Sequence, residues 1–233
     1  MTDAAGGAVR PLPVEAVLFD LDGTLADTAP DLGAAMNRVL IAQGSPPLPL
    51  DHLRPYASHG ARGLLRAAFA IGPDDPGYAT LREAFLGEYA AAVCVESRLF
   101  AGMAALIDVI EARALKWGIV TNKASCFTLP LIEGLGLAGR PGTVVCGDST
   151  PHAKPHPAPL LAAAAELDVA PPSCVYVGDA ERDIIAGVAA GMRTLIARYG
   201  YIEPHELPET WPADGMIETP AALLGWLPAR EAR

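Results

Sequence analysis

The stretch AVLFDLDGTLADT, residues 16–28, decides the fold. Its apolar start leads directly into two aspartates, Asp20 and Asp22, and a Gly-Thr pair follows them. A continuous apolar run that does not alternate with polar residues is typical of a strand buried on both faces, as in a parallel sheet. Two carboxylates one residue apart at the end of such a strand repel each other unless a cation intervenes. The stretch therefore predicts a buried strand that ends in a candidate site.

Four more apolar runs recur along the chain, and helical patterns separate them. Strands that alternate with helices indicate an α/β fold with a doubly wound parallel sheet. Ligands bind such sheets beyond the carboxyl ends of the strands, so we expect the polar strand ends to meet in one crevice. The predicted strands are 16–20, 116–121, 143–148, 174–179 and 194–197, and the predicted helices between the later strands are 103–114, 127–136, 157–167 and 181–191.

The segment between the first two strands is different, because it has few strand signals. We interpret it as a helical module inserted after the first strand; the alternative is that its helices simply cover one face of the sheet. Its amphipathic patterns lie near 31–43, 59–70 and 78–93, and 97–102 is the predicted return linker. The predicted domains are a core formed by residues 14–29 and 98–233 and a helical cap over 30–97.

Charge and composition restrict the function classes. The 233 residues carry a formal net charge of −10, which argues against a partner with a nucleic-acid or anionic membrane surface. No apolar run approaches the ~18 residues of a membrane span, and residues 1–13 lack the apolar centre of a signal peptide. Four cysteines without a CxxC pair suit a reducing compartment. We expect a cytoplasmic monomer or homodimer that binds neither nucleic acid nor membrane.

Two later motifs carry candidate phosphate ligands. KWGIVTNK, residues 116–123, delivers Thr121 and Asn122 at a strand end, where a hydroxyl and nearby backbone N–H groups can donate to phosphate oxygens. KPHP, residues 154–157, fixes Lys154 before a helix, where an ammonium can neutralise a phosphoryl group. Each motif taken alone is also compatible with an ordinary polar turn or a solvated lysine.

A candidate metal motif closes the fourth strand. CVYVGDAERD, residues 174–183, places Asp179 and Asp183 four residues apart, on one face of a helix that begins there. Oxygen ligands of this kind suit Mg²⁺, although acids also favour helix N-termini because of the helix dipole. Asp148 competes for the role, but His152 stands four residues after it and no helical pattern begins there. We therefore assign the metal site to Asp179.

Together the motifs supply Asp-x-Asp, Thr, Lys and Asp-x-x-x-Asp in order, and this combination resembles the haloacid dehalogenase superfamily of phosphotransferases. The resemblance implies that Asp20 is a nucleophile that forms an aspartyl-phosphate. It implies that Asp22 protonates the leaving group and then activates water. It further implies that Thr121, Asn122 and Lys154 bind the phosphate. Phosphoryl transfer depends mostly on such positioning and charge neutralisation.

The same resemblance implies a magnesium ion. Its ligands would be the Asp20 carboxylate, the Asp22 backbone carbonyl and Asp179, with Asp183 behind them. Ala180 departs from the Thr or Ser that many relatives carry after Gly-Asp, which affects one supporting hydrogen bond and not the metal ligands.

The helical module resembles the family's cap, which closes over the crevice and excludes water. The stretch YASHGARGLL, residues 56–65, resembles the substrate-specificity loop of phosphoglycolate phosphatases. Ser58, His59, Gly60 and Arg62 are therefore candidate substrate contacts. An arginine at this point suits a substrate carboxylate, and a solvated surface role for it stays open.

The motifs leave several substrates and reactions open. The core motifs resemble phosphoglycolate phosphatase, so the first assignment is a phosphatase of a small phosphorylated metabolite, 2-phosphoglycolate. The stretches SHGARGLLRAAFA, WGIVTNK and ARYGYIEP resemble a group that dephosphorylates N-acetylmuramic acid 6-phosphate. A sugar phosphate mutase of the same superfamily shares the core motifs and is a further alternative. A phospho-accepting signalling module is disfavoured by Asp22 and the cap, because such a switch needs a slowly hydrolysed aspartyl-phosphate.

Overall fold

The computed structural model describes residues 14–228; the segments 1–13 and 229–233 of the sequence predictions lie outside the described residues. Its strands are β1 (Ala16–Phe19), β2 (Ala26–Asp27), β3 (Arg98–Leu99), β4 (Lys116–Val120), β5 (Thr143–Val145), β6 (Cys174–Gly178), β7 (Arg193–Ala197) and β8 (Gly215–Ile217). Six of them form one parallel sheet in the order β5-β4-β1-β6-β7-β8. The other two, β2 and β3, pair antiparallel as a separate ribbon.

Eight α-helices are described in this part of the chain. They are α1 (Ala29–Ala42), α2 (Leu50–Leu53), α3 (Gly60–Phe69), α4 (Tyr78–Ala90), α5 (Met103–Ala112), α6 (Ser125–Gly134), α7 (Ala158–Glu166) and α8 (Glu181–Ala189). Short 3-10 turns occupy Arg54–His59, Pro171–Ser173, Pro208–Thr210 and Pro220–Gly225. None of the described helices is both long enough and apolar enough to cross a bilayer.

The central strand β1 is buried on both faces of the sheet. Successive side chains of a strand point to opposite faces. Val17 and Phe19 join an apolar cluster that includes residues of α5 and α6, whereas Ala16 and Leu18 join a cluster that includes residues of α7 and α8. Both faces therefore carry helices, and the predicted doubly wound α/β class is confirmed.

Residues 29–96, here called the helical insert, supply most of a third apolar cluster, which Tyr201 of the core joins. Leu32 and Met36 of α1 pack there with Leu64 of α3 and with Phe85 and Tyr89 of α4. Because α5–α8 already cover the sheet, the insert does not serve as its covering layer. The boundaries of the two predicted domains stay a prediction.

Some element predictions were wrong in detail. The run 143–148 ends as a strand at Val145, because the N–H of Cys146 turns to the hydroxyl of Ser149. The predicted linker 97–102 contains β3, which pairs with β2 across the two ends of the insert. The short strand β8 was not predicted, since three residues are too few for a pattern to stand out.

Candidate active site

Three buried aspartates meet at the carboxyl edge of the sheet. Because β1 lies between β4 and β6, the residues that follow these strands are neighbours. Asp20 follows β1 and Asp179 follows β6, while Asp183 lies in the first turn of α8. One carboxylate oxygen from each of the three lies within 4.8 Å of the others. Thr121 follows β4, is buried, and lines the same cavity as Asp20.

Asp179 is enclosed by backbone and by a hydroxyl of the helical insert. Gly23 has a φ of +84°, and a Cβ there would lie 2.1 Å from Asp179 Oδ2, so the position requires glycine. That oxygen accepts hydrogen bonds from the backbone N–H of Tyr201 at 2.8 Å and from the hydroxyl of Ser58 at 2.6 Å. Ser58 Oγ also lies 3.4 Å from the backbone carbonyl oxygen of Asp22. Ser58, which was predicted to contact the substrate, therefore contacts two oxygens that were predicted to bind the metal, Asp179 Oδ2 and the carbonyl oxygen of Asp22.

Lys154 is the cation of the cluster. Its ammonium is fully buried and lies 2.8 Å from Asp20 Oδ1 and 2.9 Å from Asp183 Oδ1. It also donates to the carbonyl oxygen of Val120 and to the hydroxyl of Tyr176. A buried ammonium that bridges two carboxylates has nearly all its donors satisfied, so its position is fixed.

The side chain of Asn122 holds the backbone of Lys154. Asn122 Oδ1 accepts from the Lys154 N–H at 2.9 Å, and Asn122 Nδ2 donates to the Lys154 carbonyl oxygen at 2.9 Å. The side-chain amide of Asn122 therefore positions Lys154, whereas the predicted phosphate donors at this strand end are a hydroxyl and backbone N–H groups. Among residues 14–228 the backbone N–H of Asn122 has no acceptor, so it remains able to donate to a ligand.

The three carboxylates differ in their pKa values. Burial raises the pKa of Asp20 to about 6, although Lys154 works against this. Burial, reinforced by the charges of Asp20 and Asp183, raises the pKa of Asp179 to about 7. Burial alone would raise the pKa of Asp183, but Lys154 and Arg182 outweigh it and hold that pKa below its usual range. The cluster therefore lacks positive charge on the side of Asp179.

That deficit makes the cluster fit a divalent cation. Three carboxylates with one oxygen each within 4.8 Å, together with the nearby carbonyl of Asp22, are a hard oxygen donor set. A cation placed there would stabilise the ionised carboxylates of Asp20 and Asp179, which burial disfavours. The pairing of Asp183 with Lys154 leaves Asp183 less able than the other two to act as a direct ligand.

Asp22 lies beside the cluster but belongs to a separate ion pair. Both of its carboxylate oxygens accept from the ammonium of Lys123, at 2.9 and 3.0 Å, and Oδ1 also accepts from the hydroxyl of Thr28 at 2.5 Å. The Lys123 ammonium lies 4.8 Å from the centre of the Tyr89 ring. Burial alone would lower the pKa of Lys123, but Asp22 and Tyr89 more than offset it and raise that pKa.

The four predicted contacts of the helical insert reach the site in different ways. Ser58 contacts Asp179, whereas the ring of His59 lies between Arg182 and Glu203. Gly60 adopts a φ of 54° and a ψ of −141°, a conformation suited to glycine, and lines the cavity. Among the described residues Arg62 has no acidic partner, and it also lines the cavity.

A cavity of about 840 Å³ lies between the sheet edge and the helical insert. The end of the cavity at the aspartate cluster is lined by Asp20, Asp22 and Lys154. Its other walls come from the insert and from the start of α6, and they include aromatic and apolar side chains. These wall residues are Leu32, Tyr78, Phe85, Leu86, Tyr89 and Phe127.

Sequence reasoning assigned no site role to four cations that line this cavity: Lys123, Arg66, Arg82 and Arg182. Lys123 and Arg182 stand directly beside predicted site residues in TNK and AERD, which is a usable signal. Arg82 lies on α4, and it belongs to no motif identified in the sequence. The rejected candidate Asp148 lies outside the cluster, where its carboxylate accepts from the N–H and hydroxyl of Ser125 at the start of α6.

Comparison with known proteins agrees with this geometry. A family profile described as haloacid dehalogenase-like hydrolase matches residues 17–197. The N-acetylmuramic acid 6-phosphate phosphatase of Pseudomonas putida is 43% identical over 210 residues, which is 90% of this chain and 94% of that protein. The phosphoglycolate phosphatase of Xanthomonas campestris pv. campestris is 42% identical over 214 residues, 92% of this chain and 96% of that protein.

A crystal structure of a predicted phosphoglycolate phosphatase from Haemophilus somnus superposes with a TM-score of 0.79 at 25% sequence identity. The match covers 91% of this chain and 97% of that one. The resemblance inferred from the four motifs is thereby confirmed. By the profile and by these relatives, the chain belongs to the haloacid dehalogenase-like hydrolase family, among its phosphatases.

Proposed function

We propose that the protein is a Mg²⁺-dependent phosphomonoester hydrolase that transfers the phosphoryl group to Asp20 before water releases it. The observation that carries the proposal is the ammonium of Lys154 bound to Asp20 Oδ1 at 2.8 Å at the end of the cavity. Among the described residues Asp20 Oδ2 accepts no hydrogen bond, so its lone pairs are available to attack phosphorus. The names of the curated relatives support the same class of reaction.

The proposed reaction has two steps. In the first, an oxygen of Asp20 bonds to phosphorus, the ester P–O bond breaks, and Asp22 protonates the departing alkoxide. In the second, Asp22 takes a proton from water, the water oxygen bonds to phosphorus, and the Asp20–phosphorus bond breaks to release inorganic phosphate. Thr121, the backbone N–H of Asn122 and Lys154 bind the phosphoryl oxygens. Bound to the aspartate cluster, Mg²⁺ supplies charge neutralisation.

The helical insert acts as the cap in this proposal. The predicted cap, residues 30–97, differs from the insert by one residue at each end, and residues 14–29 and 98–233 form the proposed core. The contacts of the insert with the site support the role, because Ser58 reaches Asp179 and the insert lines most of the cavity wall. A closed cap excludes water from the phosphoryl group during the first step.

For the substrate we propose a phosphorylated sugar acid of the N-acetylmuramic acid 6-phosphate type. A cavity of about 840 Å³ with aromatic walls is far larger than a two-carbon acid needs, and it falls in the range of sites that enclose whole sugar-sized ligands. Arg62 supplies a cation without an acidic partner among the described residues, which suits the substrate carboxylate. The Pseudomonas relative is named for this substrate; 2-phosphoglycolate, for which the Xanthomonas relative is named, is the second candidate.

A phosphate-release assay with matched substrates tests both proposals. We expect kcat/KM for N-acetylmuramic acid 6-phosphate to exceed that for N-acetylglucosamine 6-phosphate, which lacks the lactyl carboxylate, by at least about tenfold. We also expect it to exceed that for 2-phosphoglycolate. A preference for 2-phosphoglycolate would overturn the proposed substrate. Conversion of a sugar phosphate into an isomer without free phosphate would overturn hydrolysis itself.

A further inference from the structure

Residues 199–203, here called the strap, follow β7 and bind the start of the helical insert to the core. The hydroxyl of Tyr199 donates to the carbonyl oxygen of Thr24 at 3.0 Å. The hydroxyl of Tyr201 donates to Asp27 Oδ1 at 2.6 Å and accepts the two backbone N–H groups that open α1, at 2.7 and 2.9 Å. The strap therefore fixes the chain where it leaves the core.

Glu203 ends the strap and is an acid that the proposed reaction does not use. It is only 3% exposed, yet its carboxylate meets two side chains of the insert. Arg66 Nη2 donates to both of its oxygens, at 2.6 and 2.8 Å, and His59 Nε2 lies 3.0 Å from Oε1. His205 Nδ1 lies 3.6 Å from Oε2. A buried carboxylate of this kind is stable only while these partners stay in place.

The imidazole of His59 is fixed from both sides. Its Nε2 faces the carboxylate of Glu203 and its Nδ1 lies 3.1 Å from Nη1 of Arg182, so a neutral ring with the proton on Nε2 satisfies both contacts. Burial and the charge of Arg182 lower the pKa of His59, which agrees with that neutral ring. Arg182 also donates to the carbonyl oxygen of Ser58 at 2.7 Å. Two residues of the core thus hold consecutive residues of the insert.

The four arginines that line the cavity differ in their partners, and Arg182 is held by His59 and Ser58. Arg66 lines the cavity, but its guanidinium is paired with Glu203. Arg62 and Arg82 line it with no acidic partner among the described residues. Arg62 and Arg82 are therefore the arginines of the insert that remain able to pair with an acidic group of a bound substrate.

We propose that Glu203 is a positioning residue for substrate recognition: it anchors His59 and Arg66 so that the intervening Arg62 faces the substrate carboxylate. The proposal rests on the proposed function for its substrate and on the contacts above for its geometry. Loss of the Glu203 carboxylate frees Arg66 and His59 together. The segment between them then loses its fixed orientation, whereas Asp20 and Lys154 keep their mutual contact.

Kinetics and hydrogen–deuterium exchange of Glu203→Ala test this inference. For N-acetylmuramic acid 6-phosphate we expect KM to rise about tenfold or more, while kcat for p-nitrophenyl phosphate, which has no carboxylate, stays within about twofold. Glu203→Gln keeps an oxygen that accepts from Arg66, so its KM should rise less than that of Glu203→Ala. The matched controls Glu88→Ala and Glu88→Gln remove a different cap ion pair, Arg38–Glu88, and should change neither value.

Hydrogen–deuterium exchange tests whether Glu203 anchors the insert independently of the proposed substrate. In Glu203→Ala the amides of residues 54–69 should exchange at least about tenfold faster, with β1 and β6 still protected. Unchanged exchange at 54–69 would overturn the anchor, whatever the substrate. Faster exchange with an unchanged KM for every carboxylated substrate would overturn its part in recognition. A wild-type protein that hydrolyses none of the phosphate esters would refute the proposed function, and the exchange result would still decide the anchor.

Discussion

Asp179→Asn should stabilise the metal-free protein and at the same time abolish its response to Mg²⁺. The substitution keeps the shape of the side chain and removes its charge. Its oxygen can accept from Ser58 and the Tyr201 N–H in place of Oδ2, and its NH₂ can donate to the hydroxyl of Thr24, which now lies 3.2 Å from Oδ1. The hydrogen bonds from Ser58 and the Tyr201 N–H are kept, so the loss of charge dominates.

The size of the effect follows from the pKa of Asp179. Folding raises it from 3.8 to about 7, so the folded protein retains a proton that the unfolded chain releases. Stability from this group is fully present below pH 3.8 and is lost as the pH rises towards 7. At 1.36 kcal/mol per pKa unit, ionising Asp179 by pH 7 costs up to about 4 kcal/mol. Asp20, with its pKa raised to about 6, likewise lowers the stability as the pH rises. His59, whose pKa is lowered, has the opposite effect and raises the stability as the pH rises.

Urea unfolding of chelator-treated protein measures this difference. At pH 7 we expect Asp179→Asn to be about 2–4 kcal/mol more stable than the wild type, and at pH 5 by about 1–2 kcal/mol. Saturating Mg²⁺ at a hundred times its dissociation constant should add about 2.7 kcal/mol to the wild type and nothing to the variant. The matched control Asp183→Asn should instead destabilise the protein, because it leaves the buried Lys154 with one carboxylate fewer.

Two results would refute this reasoning. One is a metal-free Asp179→Asn protein that is less stable than the wild type at pH 7, which would mean that the buried charge is compensated by groups other than a metal. The other is a variant that keeps the Mg²⁺-dependent gain, which would place the metal away from Asp179.

Three further changes have defined outcomes. Lys154→Met leaves Asp20 and Asp183 unpaired and should lower the free energy of unfolding by about 3–5 kcal/mol in urea titrations; a change below about 1 kcal/mol would contradict the buried bridge. Arg62→Ala should reduce kcat/KM for 2-phosphoglycolate or N-acetylmuramic acid 6-phosphate more than for p-nitrophenyl phosphate, and equal losses would assign Arg62 a structural role. EDTA should stop phosphate release and Mg²⁺ should restore it, whereas metal-independent turnover would remove the cation from the mechanism.

The central sheet could be predicted because its information is local. Each core strand is a short apolar run, and parallel strands bring their carboxyl ends to one edge. Asp20, Thr121 and Asp179 therefore converge without any knowledge of side-chain packing. Lys154 was found through its Pro-rich segment, and the structure brings it to Asp20.

Contacts that depend on distant packing could not be predicted. The side chain of Asn122 turns to the backbone of Lys154, which is 32 positions away, instead of to the cavity. Glu203 meets Arg66 across 137 positions. Each lies in a stretch quoted above for its resemblance, ARYGYIEP and SHGARGLLRAAFA, but neither stretch indicates that the two residues pair. The pairing of Lys123 with Asp22 is of the same kind, because only the folded sheet brings the ends of β1 and β4 together.

A covalent phosphoryl group on Asp20 is the central feature of the proposed reaction, and trapping it is the most direct test. Asp22→Asn should still react with p-nitrophenyl phosphate, whose leaving group needs little protonation, but should hydrolyse the intermediate slowly. After acid quenching, mass spectrometry should find one phosphoryl group on Asp20 together with a burst of one p-nitrophenolate per protein. The double variant Asp20→Asn/Asp22→Asn should show neither. A burst without phosphorylated Asp20, or a phosphoryl group on another residue, would contradict the central claim.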